Sequence, residues 1–89
     1  MKPFTNNQEL YEYLLSLAAT LKNRRHDELS EAVTFASRHA AGNMNIEFLG
    51  ESRIALQRVL NEEEGILNVQ ERADVSGALS QLNEVFNRR

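Results

Sequence analysis

The sequence predicts an all-α fold, a compact antiparallel four-helix bundle, on three observations. Apolar residues recur at spacings of three and four along nearly the whole chain, period-two alternation in β-branched runs is missing, and helix breakers are sparse. Spacings of three and four mark one face of a helix, whereas alternation marks a half-buried strand, so the pattern selects helices. A lone proline at position 3 and scattered glycines at 42, 50, 65 and 77 leave no linker and no low-complexity stretch. With 89 residues the expectation is one helical domain over 1–89.

The first helix is expected over about 6–23, opened by Thr5 with Gln8 as a capping box, in which hydroxyl and amide satisfy exposed backbone N–H groups. Leu10, Tyr13, Leu14, Leu17 and Leu21 share its face, and Tyr11, Leu15 and Ala18 widen the stripe to about half the circumference, so this helix is expected to touch most of the others. Lys22, Arg24 and Arg25 close it, and Asp27, Glu28 and Glu31 follow; both groups complement backbone dipoles. The second helix is expected over about 27–41 with Gly42 as its stop, and Leu29, Ala32, Val33, Ala36 and Ala40 as its inner face.

The stretch FLGESRIAL, Phe48 to Leu56, holds the first half of a G-x-S-x-G nucleophile elbow. That elbow requires a preceding strand and a second glycine two residues after the serine, because a strained turn needs small neighbours. Position 54 is isoleucine and the stretch is helical in period. Ile46, Leu49, Leu56 and Leu60 form one stripe, Phe48, Ala55 and Val59 its flank, and both keep phase across Gly50. One helix over about 45–61 follows, with Gly50 in its interior at a cost of about 1 kcal/mol relative to alanine. Ser52 then lies in the apolar arc, its hydroxyl within reach of the Phe48 carbonyl four residues earlier. The fourth helix is expected over about 68–87, with Asn68 as N-cap and Glu71 at the third position. Its face is read as Val69, Ala73, Val75, Ser76, Leu79, Leu82, Val85 and Phe86, opposite Gln70, Asp74, Ala78, Gln81 and Glu84.

Several function classes are disfavoured by composition. Ten basic against thirteen acidic residues give a charge of −3, a poor match to a phosphate backbone, so nucleic acid is not an expected partner. No membrane-length apolar stretch is present, and the polar amino-terminal segment lacks a secretory core, so the expected location is the cytoplasm, with no membrane partner. The absence of cysteine excludes thiolate metal sites and thiol nucleophiles. His26 and His39 are too few and too far apart for a chelating pair, so neither metal nor cofactor is expected. His39, four residues after Phe35, is read as a packed imidazole on the flank of the second helix.

The candidates for binding are residues that break the pattern. Arg53 and Arg72 fall inside the apolar arcs of their helices, where they form either buried ion pairs or a pocket for an anion; antiparallel neighbours bring them together near the 62–67 connection. Glu62, Glu63 and Glu64 stand at a helix carboxyl end, against the dipole. Ile54, with Gly50, lies on the polar side of the third helix between Glu47 and Glu51. The expected function is therefore non-catalytic protein binding, as an adaptor, regulator or inhibitor, through Glu51, Ile54, Glu62, Glu63 and Glu64. Alternatives are a homo-oligomer joined by the wide stripe of the first helix, and an anion-binding protein or enzyme built on Arg53, Arg72 and His39. The segment TNNQELYEYLLSL, Thr5 to Leu17, resembles the first helix of bacteriocin immunity proteins, while the later helices lack the paired tyrosines of that family. The resemblance implies a sharper version of the first reading, in which acidic side chains neutralise a basic partner by covering its active site.

Overall fold

The computed structural model describes residues 3–41, 45–62 and 66–87. Its elements are α1 (Asn7–Asn23), α2 (Asp27–Arg38), a 3-10 turn (His39–Ala41), α3 (Asn45–Asn61) and α4 (Val69–Asn87), with no strand among the described residues. The four-helix architecture and the continuity of α3 across Gly50 are as the periodicity predicts. No described helix is long and apolar enough to cross a membrane.

Side chains at the termini account for where the helices start and stop. At α1 the cap is Asn6, whose Oδ1 accepts from the Glu9 N–H at 2.9 Å. Asparagine is the stronger cap, so it displaces the expected pair of Thr5 and Gln8. Thr5 still contributes: its backbone N–H donates to Glu9 Oε1 at 2.7 Å. At α4 the capping box forms as read, with the Glu71 N–H on Asn68 Oδ1 at 2.8 Å and the Asn68 N–H on Glu71 Oε1 at 2.9 Å. The second helix stops earlier than expected because His39 intervenes. Its imidazole meets the Phe35 carbonyl at 3.1 Å, its backbone N–H bonds to Ala36, and the chain tightens into the 3-10 turn. The expected stop, Gly42, lies outside the described residues.

The first connection is a Schellman closure in which the Arg25 N–H bonds to the Lys22 carbonyl at 3.0 Å and the His26 N–H to the Leu21 carbonyl at 2.9 Å. The pattern needs a left-handed residue, and Arg25 supplies it at φ 67°. Glycine is the usual occupant because a Cβ is disfavoured there. The turn lies where the expected helix bounds place it, whereas its left-handed residue has no sequence signal, since no glycine announces it.

One apolar core runs through all four helices. Leu10, Leu14 and Leu21 of α1, Val33 of α2, Leu56 of α3, and Val75 and Leu82 of α4 have no exposed surface, and Phe48 is the largest fully buried side chain. In α3 the buried line is Phe48, Ser52, Ala55, Leu56 and Val59, so the expected flank is the centre, with Leu49 and Leu60 at its edge. Ser52 is fully buried, and its hydroxyl donates to the Phe48 carbonyl at 2.7 Å. A buried hydroxyl satisfied within its own helix costs little. Ser30 makes a corresponding bond between helices, to the Ala18 carbonyl at 2.8 Å.

Close backbone approaches join sequential neighbours, α1 to α2, α2 to α3 and α3 to α4, with the 3-10 turn against the first three helices. Helix α1 is thus less central than its stripe suggests, and it reaches α4 through long side chains. Arg24, just after α1, forms a bidentate pair with Glu71 at 2.5 and 2.8 Å and donates to the Ile66 carbonyl at 2.9 Å. At the other end Gln81 Nε2 donates to the Phe4 carbonyl at 2.6 Å. These contacts run α1 and α4 antiparallel, with the Glu71 and Gln81 side of α4 facing α1. That orientation corrects the expected face: Ala78 is buried with Val75, Leu79 and Leu82, whereas Val69 is 89% exposed and Ala73 and Ser76 face solvent.

Two outcomes test this account. Arg25→Gly relieves the left-handed Cβ and is expected to raise stability by about 0.5–1 kcal/mol, or about 2–8 °C in Tm. A fall in Tm on thermal melting contradicts the strain. The Arg24 side chain and the Asn68 N–H hold the Glu71 carboxyl below the usual carboxylate range. A depressed folded pKa stabilises above the unfolded value, and that stability is lost as pH falls through the folded one. Melts between about pH 7 and pH 3 are therefore expected to fall more steeply for the native chain than for Glu71→Gln, with the two curves converging at the acid end. Parallel curves contradict the clamp.

Candidate functional site

A helix packed on three neighbours has one side left over, and on α3 that side carries an apolar residue. Ile54 is 64% exposed, because the buried line through Phe48, Ala55 and Val59 turns it outward. It stands in an open groove of about 500 Å³ lined by Arg53, Ile54, Gln57, Arg58, Asn61 and Glu62. Two expected binding residues, Ile54 and Glu62, therefore meet in one place. Glu51, three residues before Ile54, lies on the same side of the helix and is half-buried. Glu63 and Glu64 lie outside the described residues.

The polar rim of the groove is partly tied down. Arg58 lies between Glu28 of α2 at 3.7 Å and Glu62 at 3.6 Å, and Gln57 Nε2 donates to Asn61 Oδ1 at 3.0 Å. Exposed pairs at such distances contribute about 0–1 kcal/mol. They orient the rim more than they stabilise the fold. Arg58 also screens Glu62 from the helix dipole that it opposes.

The two arginines expected in apolar arcs are both exposed. The Arg53 guanidinium lies 5.1 Å from the centroid of the Phe86 ring, a cation–π contact that keeps the charge in solvent. Phe86 in turn covers Gly50, with its Cζ 3.8 Å from where a Cβ would stand. Gly50 is accordingly covered rather than open beside Ile54. Arg72 sits fourteen residues before Phe86 on α4, about 20 Å along the axis. Arg53 and Arg72 do not converge, because antiparallel packing sets Arg53 beside the carboxyl-terminal part of α4 and Arg72 at its start.

The remaining candidates for chemistry are occupied by the fold. The Ser52 hydroxyl is sealed in the core. His39 packs edge-on against Phe35 at 5.0 Å between centroids and is held by the Phe35 carbonyl. The described residues contain no group of three or more His, Asp or Glu that could hold a metal ion. Tyr13 has a phenol raised above its ordinary range, first by burial and then by the nearby Asp74 and Glu71 carboxylates. A phenol in that setting stays neutral and serves packing between α1 and α4.

Periodicity did not single out Phe35, 53% exposed on α2, and it assigned Leu15, 40% exposed on α1, to the buried stripe. The signal for Phe35 was available: on the helical projection it sits nearly opposite Val33 and about 100° from Ala36, off the inner face. Comparison with protein-family models, with curated proteins and with solved structures finds no match to the chain.

Stability and surface roles are separable by substitution. Phe48→Ala is expected to lower unfolding free energy by about 3–5 kcal/mol, while Ile54→Ala changes it by less than about 0.5 kcal/mol. Denaturant titration measures both, and a large loss at Ile54 makes that residue part of the core.

Proposed function

We propose that the protein is a non-catalytic, cytoplasmic binding protein, an adaptor, regulator or inhibitor, that receives another protein on the outer side of α3. The observation that carries this reading is Ile54, an apolar side chain 64% exposed in an open groove with charged and amide groups around it. Protein interfaces place energetic anchors at a dehydrated centre and polar groups at the rim. Ile54 has the character of the anchor, and Glu51, Gln57 and Glu62 that of the rim.

The sharper version, neutralisation of a basic partner, is supported by the chain charge of −3 and by Glu51 and Glu62 beside the anchor. Carboxylates steer a cationic surface toward the groove and fix its register, while the apolar contact holds it there. An anion-binding or enzymatic role has less support, since Arg53 is stacked on Phe86, Arg72 is remote from it, and Ser52 and His39 are held by main-chain carbonyls.

The test is affinity capture from the native host with quantitative mass spectrometry, using the native chain beside Ile54→Asp. A partner enriched by the native chain and reduced about tenfold or more by Ile54→Asp, with helicity unchanged by circular dichroism, is the expected outcome. Equal recovery on both proteins removes the α3 groove as the binding surface.

A further inference from the structure

The outer side of the α1–α2 hairpin is a second surface with apolar residues that the core does not use. Leu15 and Phe35 are 40% and 53% exposed there. A furrow follows the seam between the helices: Lys22, Asp27, Glu31 and Phe35 line one part, Gln8 and Tyr11 the other, and Arg38 lines both. Leu15 follows Tyr11 by four residues and precedes Lys22 by seven, so the three share a flank of α1. The Ser30 to Ala18 bond sets the register and brings Leu15 level with the middle of α2, near Thr34.

Charge along α2 identifies the occupant. Asp27, Glu28 and Glu31 stand in its first half and Arg38 in its last turn, with Phe35 between Glu31 and Arg38. Neither Glu31 nor Arg38 forms an ion pair among the described residues. The midpoint between residues 31 and 38 falls between Thr34 and Phe35. A two-fold axis there, crossing the helix, sets Arg38 of each copy over Glu31 of the other and brings the two Phe35 rings together. The Leu15 side chains stand beside the same axis. Laying the hairpins parallel instead sets Arg38 over Arg38 and acid over acid, which like-charge repulsion disfavours. Antiparallel α2 helices also oppose their dipoles favourably.

We propose that this face is a self-complementary docking surface for a second copy of the chain, forming an antiparallel two-fold dimer through Leu15, Phe35, Glu31 and Arg38. The dimer is a weak one, since its apolar centre is small and its ion pairs lie at a solvated rim. No residue lines both this furrow and the α3 groove, so dimerisation is independent of partner binding at Ile54.

Sedimentation of the full chain across about 10 μM to 1 mM tests it. The expected result is a 10.1 kDa monomer at the low end passing to a dimer at the high end. Leu15→Glu and Phe35→Glu, each with helicity checked, are expected to weaken association about tenfold or more. Arg38→Glu alone weakens it, and adding Glu31→Arg to the same chain restores it, which packing defects would not do. Raising salt from about 50 mM to 500 mM weakens the native dimer and not an apolar one. A monomer throughout the range overturns the proposal. So does a dimer that survives both glutamate substitutions, one abolished by Ile54→Asp, or a charge swap that fails to restore association.

Discussion

Isolated helices of twelve to nineteen residues are marginal in water, and these four carry little to stabilise them singly. What they share is the leucine stripe of α1. Leu10, Leu14, Leu17 and Leu21 are almost wholly removed from solvent, which requires apolar cover on both sides of α1 at once. On one side α2 comes close, with Leu29, Val33 and Ala36 facing the stripe and Ser30 small enough to bond the Ala18 carbonyl. Without cysteine the chain has no covalent staple, so loss of that cover exposes the core of every helix together. The rest of the fold follows from how the other side is closed.

That side is closed by polar groups around apolar ones. Arg24 gathers the Glu71 carboxylate and the Ile66 carbonyl at one end, and Gln81 takes the Phe4 carbonyl at the other. Between them the Tyr13 phenol sits partly buried beside two acids. The ends of α1 and α4 are tied by side chains that reach across, while the burial of Val75, Ala78, Leu79 and Leu82 sets the rotation of α4. The burial of Ala78 belongs to that rotation, and the ties at either end are compatible with it.

The parts of this arrangement that could be read from sequence are those decided within one helix. The Asn68–Glu71 box, the Ser52 bond to Phe48 and the unbroken third helix all rest on spacings of three or four, and all are present. The parts that could not be read depend on a neighbour or on a special backbone angle. Arg53 and Arg72 look buried on a helical wheel because the wheel of each helix was centred on its own apolar residues. The true centre runs through Phe48, Ser52, Ala55, Leu56 and Val59 in α3 and through Val75, Ala78, Leu79 and Leu82 in α4, which leaves Arg53 stacked on Phe86 and Arg72 exposed. Arg25 in the left-handed region carries no sequence signal at all. Of the candidate binding residues, Ile54 was legible because exposure opposite a strong stripe is a single-helix property. The meeting of Ile54 with Glu62 across two turns is likewise a matter of helical period.

An apolar side chain on the surface of a small domain carries weight only when packing does not account for it. Val69 is more exposed than Ile54, yet it is the first residue of α4, where a helix begins before it has a face to bury. Val85 lies in the last turn, where cover runs out. Ile54 and Leu15 are different, since each stands well inside its helix, and Phe35, though in the last turn of α2, is followed directly by the 3-10 turn; at all three a polar residue would serve solubility better and the apolar side chain adds little to the core. Ile54 has charged and amide side chains around it, and Phe35 stands between an acid and a base on its own helix. Helix interiors tolerate charged residues at solvated positions without loss of propensity, so the apolar choice at these positions is not forced by folding. On the binding reading proposed above, the apolar choice serves contact outside the chain, and the polar neighbours differ enough between the two surfaces that one occupant would not suit both.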